Sequence, residues 1–324
     1  MNLIYMAKPT YGGWVSFTTH LSLKTDSKIC KIGKRTEIRK NKEPILRKYG
    51  YGLKYQNFHI DDAILLPNII ITAIDKHFYK YIHRFPDNTC IVIHDPTEIT
   101  GKKAKILLDN LPRFRVITIR KIIHKLLKNE HNIDNIFLHH PFYEFPKKNI
   151  NKTNKSIAIS RIDFDKYTHT IVMANNKLPK KKRIEIYGKK NDLYVYHGIK
   201  NKMNLETEFE RDYKGSFDKS FEELNSLLGD KKFVVDLSAI KNDGGGSQYT
   251  FLEAIYNDCI LILNSAWITN TNSIFKQNFN CIVVSNLDDL HHFILNENIN
   301  SDRILKNSKK ILEPHVTVNW NKLF

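Results

Sequence analysis

Short hydrophobic runs alternate with longer amphipathic segments along the first half of the chain. The predicted strands are 3–7, 63–66, 68–72, 90–94, 115–119 and 135–138, and the predicted helices are 14–23, 75–83 and 120–128. Continuous apolar strands that alternate with helices are typical of a parallel sheet covered on both faces. The first half therefore predicts a doubly wound α/β domain.

A polar, Lys- and Asn-rich stretch at 141–155 predicts a linker, after which the pattern restarts. The predicted strands are then 156–160, 183–187, 233–237 and 260–264, and the predicted helices are 167–175, 217–228, 249–257 and 302–311. We expect domains at 1–150 and 151–305, with 306–324 forming a helix or tail that packs back on the first domain. Doubly wound sheets bind ligands at the carboxyl ends of their strands, so we expect two such domains facing across a nucleotide-binding cleft.

The composition narrows the class of protein. The 324 residues are 41% hydrophobic and 26% charged, which is typical of a globular chain and excludes collagen-like and disordered classes. No apolar stretch approaches the roughly 18 residues of a membrane span, and residues 1–5 do not resemble a secretory signal, so we expect a cytoplasmic protein. Cys30, Cys90, Cys259 and Cys281 are scattered, which predicts reduced thiols and no zinc or iron–sulfur site.

Positive charge is concentrated in the first half. Residues 1–150 hold 26 Lys and Arg against 13 Asp and Glu, whereas the remaining 174 residues hold 25 against 21. Nine basic and two acidic residues lie between Lys31 and Lys54, interleaved with tyrosines. Cations interleaved with aromatic rings are typical of a surface that binds nucleic acid. A membrane surface rich in anionic lipid would attract the same cations. A solvated basic loop without a binding role is the remaining interpretation. The candidate DNA contacts are Lys34, Arg35, Arg39, Lys40, Arg47 and Lys48.

A glycine-rich segment precedes a predicted helix in the second half. Asp243, Gly244, Gly245, Gly246 and Ser247 would present backbone N–H groups and a helix N-terminus to a diphosphate. Glu253, one turn into the helix, is a candidate acceptor for ribose hydroxyls. The alternative is a glycine turn that only packs.

Two cations follow the first predicted strand of the second domain. Arg161 and Lys166 lie where a leaving diphosphate needs counter-charge. Asp163-Phe164-Asp165, between them, also resembles a metal-holding acidic motif, but no second acidic cluster accompanies it. We therefore predict no obligatory metal.

In the first domain the run Cys90–Ile93 ends in His94-Asp95. Asp95 is a candidate general base or anchor for an acceptor hydroxyl, and His94 either takes that role or satisfies hydrogen bonds in the core.

The Gly12-Gly13 turn opens the first helix. Phosphate-loop, Gly-x-Gly-x-x-Gly, Gly-x-Ser-x-Gly and His-Glu-x-x-His motifs are absent from the sequence.

Taken in order, these segments resemble the retaining GT-B glycosyltransferases. The resemblance rests on Gly12-Gly13, Ser160 to Lys166, Ile186-Tyr187-Gly188, Tyr213-Lys214-Gly215 and Asp243 to Ala254. It implies two Rossmann-like domains, a donor diphosphate bound by Arg161 and Lys166, and a donor ribose bound by Glu253, with Gly13 and Gly188 also lining the donor site. Where the family often has an earlier glutamate near the sugar, this chain has Gly245.

Within that family the chain looks most like the phage α-glucosyltransferases that modify 5-hydroxymethylcytosine in DNA. The resemblance implies UDP-glucose as donor, a flipped base in double-stranded DNA as acceptor, and retention of anomeric configuration with Asp95 orienting the hydroxymethyl group. A transferase of surface glycan or glycolipid at the cytoplasmic membrane face is the alternative. A nucleic-acid-binding protein on a degenerate transferase fold is a third possibility.

Overall fold

The structure is a computed structural model that describes residues 1–33, 46–48, 50–52, 54–148, 150–217, 220–239, 248–269 and 273–323. Within these residues the chain divides into two compact units. The first comprises Met1–Glu144 together with the C-terminal residues from Pro314 onward, and the second comprises most of Phe145–Glu313.

The first unit is built on an eight-stranded sheet. Its order is β3-β4-β2-β1-β5-β6-β7-β8, and every pair is parallel except β3 with β4. The strands are β1 (Asn2–Met6), β2 (Lys28–Ile32), β3 (Leu46–Lys48), β4 (Lys54–Phe58), β5 (Ile69–Ile74), β6 (Cys90–Ile93), β7 (Arg115–Thr118) and β8 (Asn135–Phe137).

The central strands of this sheet are buried on both faces. All six residues of β5 and all four of β6 are buried, as the continuous isoleucine-rich runs predict for a parallel sheet between helices. The helices are α1 (Gly13–Thr25), α2 (Ile60–Ala63), α3 (Ala104–Leu108) and α4 (Lys121–His131).

Two local predictions in this unit are wrong. The run 63–66 is not a strand: Ala63 ends α2, and Leu65 is exposed because it lies in the turn before β5. The segment 75–83 was predicted as a helix, but only Tyr79–Arg84 is helical, as a 3₁₀ turn. The strands β2 and β4 were not predicted, since lysines interrupt their hydrophobic pattern.

The second unit contains a six-stranded, fully parallel sheet. Its order is β11-β10-β9-β12-β13-β14. The strands are β9 (Thr153–Ala158), β10 (Glu185–Tyr187), β11 (Tyr213–Gly215), β12 (Lys231–Asp236), β13 (Ile260–Asn264) and β14 (Ile282–Val284).

Helices alternate with these strands. They are α5 (Thr168–Lys177), α6 (Asp192–Tyr194) continuing as a π-helix over Val195–Lys202, α7 (Glu206–Asp212), α8 (Phe221–Leu228), α9 (Gln248–Tyr256), α10 (Ala266–Thr269), α11 (Leu287–Asn296) and α12 (Ser301–Thr317). The carboxyl ends of β9, β10, β12 and β13 lie at one edge of the sheet because all the strands are parallel.

The chain returns to the first unit within α12, at Pro314. From there, the backbone carbonyl of His315 accepts from Phe142 N (3.0 Å), and Trp320 Nε1 donates to the carbonyl of His139 (3.3 Å). These bonds attach the C-terminal residues to the end of the first unit's sheet.

Among the described residues, no helix has the length and apolar character that a membrane crossing requires. The same residues contain no cluster of three or more His, Cys, Asp or Glu side chains able to hold a metal ion.

Candidate functional site

The loop after β9 carries an ion-pair network. Arg161 Nη1 lies 3.2 Å from Asp163 Oδ2, and Arg161 Nη2 lies 3.2 Å from Asp165 Oδ2. Asn191 Nδ2 donates to the other oxygen of Asp163 (2.8 Å) and so joins this loop to the segment after β10. The two carboxylates hold the guanidinium at the carboxyl edge of the sheet, while about half of the Arg161 side chain remains exposed.

Lys166 lies deeper at the same edge. Its Nζ donates to Ser238 Oγ (2.8 Å) and lies 3.8 Å from Asp165 Oδ2. Ser238 in turn donates, through both its backbone N–H (2.9 Å) and its hydroxyl, to Asp236 Oδ1. Lys166, Ser238 and Asp236 are all buried. A buried chain of hydrogen bonds therefore fixes the Lys166 ammonium group at the ends of β9 and β12.

Asp236 has a further property. Its second oxygen, Oδ2, is buried and has no hydrogen-bond partner in the part of the chain that the structure describes. A buried carboxylate oxygen of this kind normally accepts a hydrogen bond, so a donor such as a ligand hydroxyl fits here.

Gly188 allows the strand ends to approach one another. Its φ is +146°, and a Cβ at this position would lie 2.1 Å from the carbonyl oxygen of Ser160. Its backbone N–H donates to the carbonyl of Gly215 (3.0 Å), and its own carbonyl accepts from the Tyr213 hydroxyl (3.0 Å). Only glycine fits between these segments, and its presence brings the Ser160-Arg161 backbone against the end of β10.

Glu253 lies in α9, and its side chain is fully buried. Burial, and to a smaller extent the neighbouring Glu253 carboxyl group, raises the pKa of Tyr249 well above its usual value. The predicted diphosphate-binding residues Asp243, Gly244, Gly245, Gly246 and Ser247 lie outside the described residues.

The edge of the second sheet thus brings together three of the predicted site residues, namely Arg161, Lys166 and Gly188. The charged side chains at this edge include the cations Arg161 and Lys166 and the carboxylates Asp163, Asp165 and Asp236. Nη1 and Nη2 of Arg161 each lie within ion-pair distance of a carboxylate, so a diphosphate bound here would share the guanidinium with Asp163 and Asp165.

In the first unit, His94 is a buried residue at the end of β6. Its Nε2 lies 2.7 Å from the Thr72 carbonyl, which can only accept, so the proton resides on Nε2 and Nδ1 is the basic nitrogen. Burial lowers the pKa of His94 to about 4, and the ring packs edge-on against Phe17. His94 is therefore neutral at pH 7, which fits an acceptor or core role and excludes a proton-donating imidazolium.

Asp95 and Glu98 fix the turn after β6. Asp95 Oδ1 accepts from Thr97 N (2.9 Å) and from the Thr97 hydroxyl, which caps the short 3₁₀ helix Pro96–Glu98. Glu98 is buried, and its two oxygens accept from His94 N and Trp14 Nε1, each at 3.0 Å. Burial raises the pKa of Glu98 well above its usual value. Asp95 itself is half-buried.

The remaining predicted residues of the first unit have simpler surroundings. Gly13 is the first residue of α1, and a Cβ there would meet nothing within 4 Å. Arg47 and Lys48 lie in the edge strand β3. In the antiparallel register of β3 and β4, Arg47 lies opposite Tyr55 and Lys48 lies opposite Lys54. Lys34, Arg35, Arg39 and Lys40 lie outside the described residues.

Sequence reasoning missed Asp236, Ser238 and Glu98. Asp236 had a detectable pattern, since it is a carboxylate that directly ends a buried strand. Ser238 and Glu98 had none, because their roles depend on partners 72 and 84 positions away, Lys166 and Trp14.

Replacing Ser238 with alanine removes the hydroxyl that bridges Lys166 and Asp236. For the nucleotide-sugar donor that the sequence resemblance implies, we expect roughly a tenfold rise in KM, since one hydrogen bond to a charged group is worth about 1.5 kcal/mol or more. Ser226→Ala is the matched control, because that hydroxyl only donates to the Glu222 carbonyl on an exposed helix face. Equal KM values for the two variants would contradict a role for Ser238 in holding Lys166.

No protein-family model matches the sequence, and no curated protein sequence matches it. Among solved structures, Anabaena HepE in complex with UDP superposes with a TM-score of 0.65 at 12% identity, over 97% of this chain and 95% of that one. HepE has also been solved with UDP-glucose, at a TM-score of 0.64. A glycosyltransferase from Rickettsia africae superposes with a TM-score of 0.59 at 11% identity, over 97% and 94% of the two chains.

TarM gives a TM-score of 0.56 at 17% identity, with 84% of this chain matching 58% of that one. At these identities the similarities show a shared fold. The predicted α/β GT-B class is confirmed: one sheet is fully parallel, and the other is parallel except for the pair β3 and β4.

Proposed function

We propose that this protein is a glycosyltransferase that takes its sugar, most simply glucose, from a UDP-sugar bound at the carboxyl edge of the second sheet. The observation that carries the proposal is the buried Lys166–Ser238–Asp236 chain beside Arg161, at the strand ends where doubly wound sheets bind nucleotides. The fold gives independent support, because proteins that share it were crystallised with UDP and UDP-glucose.

The chemistry assigns a role to each group. In transfer, the bond between the anomeric carbon and the β-phosphate oxygen breaks, and UDP leaves with the electron pair. The acceptor hydroxyl oxygen bonds to the anomeric carbon, and its proton passes to an oxygen of the departing β-phosphate. Arg161 and Lys166 stabilise the charge that grows on the leaving diphosphate, and the glycine-rich segment 243–247 is proposed to add backbone N–H groups. Glu253 is proposed to bind the ribose of the donor. Gly13 and Gly188 are proposed to let the backbone approach the donor closely.

The first candidate acceptor is a hydroxymethylated base in double-stranded DNA. It is supported by the concentration of positive charge in the first half, where 26 Lys and Arg residues outnumber 13 Asp and Glu residues. Asp95, together with neutral His94, is proposed to orient the hydroxymethyl group. On this proposal, reversing the charges of Arg35, Arg39 and Lys40 weakens DNA binding and its salt dependence while UDP affinity stays unchanged.

The second candidate acceptor is a surface glycan or glycolipid. It is favoured by the same concentration of positive charge, because anionic lipid at a membrane face attracts the same cations.

One experiment separates the two acceptors. The protein is incubated with UDP-glucose and, in parallel, with 5-hydroxymethylcytosine DNA, unmodified DNA or oligosaccharides, and each product is examined by mass spectrometry for one added hexose. A gain confined to hydroxymethylated DNA supports the first acceptor, and a gain confined to oligosaccharides supports the second. Absence of both transfer and UDP-sugar hydrolysis across a panel of UDP-sugars would contradict the proposed function.

A further inference from the structure

A short helical segment follows β5 at the carboxyl edge of the first sheet. Its backbone N–H groups bond three positions back, Phe78 to Asp75 and Tyr81 to Phe78 (both 2.9 Å), and the 3₁₀ helix Tyr79–Arg84 continues the pattern. Because a 3₁₀ helix has three residues per turn, side chains three positions apart lie in one row. The segment 75–84 therefore presents three rows of side chains.

These rows differ in burial. Tyr79 and Ile82 share one row and lie in the core, and Phe78 and Tyr81 share a second, half-buried row that packs against that core. The third row is exposed along its whole length and consists of His77, Lys80 and His83. Every side chain of the exposed row carries at least one N–H donor.

Two further lysines lie beside the start of the exposed row. Lys76 directly precedes His77, and the Asp75 carboxylate accepts from both Lys8 N and His77 N (2.8 Å each). The loop after β1 therefore lies against the segment after β5, and both Lys8 and Lys76 are exposed. We call the following residues the basic surface: Lys8, Lys76, His77, Lys80 and His83.

The lysines of the basic surface are not neutralised by the protein. Across the described residues, no acidic side chain lies within ion-pair distance of Lys8, Lys76 or Lys80. The Lys80 ammonium group lies 4.9 Å from the centre of the Tyr81 ring, a contact that favours its position at the surface.

The acidic side chains beside the segment already have partners. Asp61 is paired with Arg84, and Asp87 lies 2.7 Å from Arg113. Asp75 accepts from the two backbone N–H groups described above. A polyanion could therefore contact the three lysines without breaking an ion pair.

The basic surface adjoins the turn that carries Asp95. On the buried side of the segment, the Tyr79 hydroxyl donates to the Glu98 carbonyl (2.7 Å), and β5 and β6 are neighbouring parallel strands. Asp95 is the residue proposed above to orient the acceptor hydroxymethyl group. A duplex whose phosphates contact the basic surface would therefore bring an extruded base close to this turn.

The distribution of apolar side chains favours nucleic acid over a membrane as the partner. A helix that docks on a membrane places exposed apolar side chains beside its cations. In 75–84, all of which the structure describes, no large apolar side chain is exposed, since Phe78 and Tyr81 pack inward. In the adjoining loop after β1, Tyr11 is 57% exposed, and a single ring beside lysines suits stacking on an unpaired base.

We propose that the basic surface binds the phosphate backbone of double-stranded DNA, with Lys8, Lys76 and Lys80 contacting phosphates and the two histidines donating hydrogen bonds to them. These residues differ from the candidate DNA contacts predicted from the sequence. As to the role of that DNA as acceptor, the inference rests on the proposed function. Duplex binding itself does not depend on it.

Fluorescence anisotropy of a labelled DNA duplex, titrated with the full chain at several salt concentrations, tests the proposal. Lys8→Ala/Lys76→Ala/Lys80→Ala is expected to weaken binding roughly tenfold or more and to lower the slope of log K against log salt by about 2–3, since each phosphate contact contributes about 0.9. Lys8→Arg/Lys76→Arg/Lys80→Arg is expected to retain both.

The matched control is Lys125→Ala/Lys128→Ala/Lys306→Ala. It removes three exposed lysines from α4 and α12, and it changes the net charge by the same amount. UDP affinity and binding to vesicles of anionic phospholipid are measured for every variant.

The outcomes separate this inference from the proposed function. Duplex binding that is lost only in the first alanine variant, with UDP affinity unchanged, supports the basic surface. The same result in a protein that binds no UDP supports the basic surface and refutes the transferase. The inference is overturned if the duplex does not bind, if the first alanine variant binds it as the control does, or if the three lysines are needed for the vesicles and not for the duplex. UDP binding in those cases leaves a transferase with a different acceptor.

Discussion

Lys166→Ala is expected to lower kcat/KM for the UDP-sugar by roughly 10²–10³, the range found when one electrostatic donor to a developing charge is removed. The Lys166 ammonium group is held by Ser238 at 2.8 Å and lies at the strand end where the diphosphate is proposed to leave. Its preorganisation means that little reorganisation accompanies the growth of charge on the leaving group. Donor kinetics with the preferred acceptor, or UDP-sugar hydrolysis if none is found, give the comparison.

Two controls make the Lys166 result interpretable. Lys177→Ala removes a lysine of the same unit whose only described ion pair is with Asp288 at 2.7 Å on the surface, and it should leave kcat/KM unchanged. Thermal denaturation of both variants shows whether Lys166→Ala is folded, since Lys166 is buried. If the Lys166→Ala variant is folded and has wild-type kinetics, Lys166 takes no part in the reaction.

Gly188→Ala is expected to destabilise the second unit by roughly 3–5 kcal/mol, because the new methyl group collides with backbone and not with a movable side chain. The Cβ would lie 2.1 Å from the Ser160 carbonyl oxygen and 3.3 Å from Arg161 Cα. For a unit of this size the loss corresponds to a drop in Tm of roughly 10 °C. Differential scanning calorimetry measures it.

Gly215→Ala is the matched control. Gly215 also has a positive φ, +113°, but a Cβ there would meet nothing within 4 Å. Its substitution should cost only backbone strain, about 1–3 kcal/mol. The difference between the two variants therefore isolates the collision with Ser160, and equal Tm values would show that the Ser160–Gly188 approach is not as close as described.

The fold could be predicted from the sequence because its central strands are continuous isoleucine- and valine-rich runs. The runs that became β5, β6, β12 and β13 are buried on both faces and leave no alternative to a parallel sheet between helices. Peripheral elements were missed where that pattern fails. β2 carries Lys28 and Lys31, and β14 has only three residues, Ile282–Val284.

Only those features of the candidate site that depend on residues close together in the sequence could be predicted. Arg161 and Lys166 follow a strand directly, and their position at its carboxyl end can be read from spacing alone. The Lys166–Ser238 bond joins residues 72 positions apart, and the pairing of Arg161 with both Asp163 and Asp165 depends on side-chain geometry. The close approach of backbone at Gly188 likewise depends on the position of Ser160, which the sequence does not give.

Hydrogen–deuterium exchange with and without UDP tests the central claim most directly, because it locates the nucleotide without needing the acceptor. We expect slower exchange of backbone amides in 160–166, 188–190 and 236–239, the segments that carry Arg161, Lys166, Gly188 and Ser238. Arg161→Ala/Lys166→Ala should abolish the protection. Unchanged exchange in these segments at saturating UDP, or protection confined to the first unit, would contradict a nucleotide site at the edge of the second sheet.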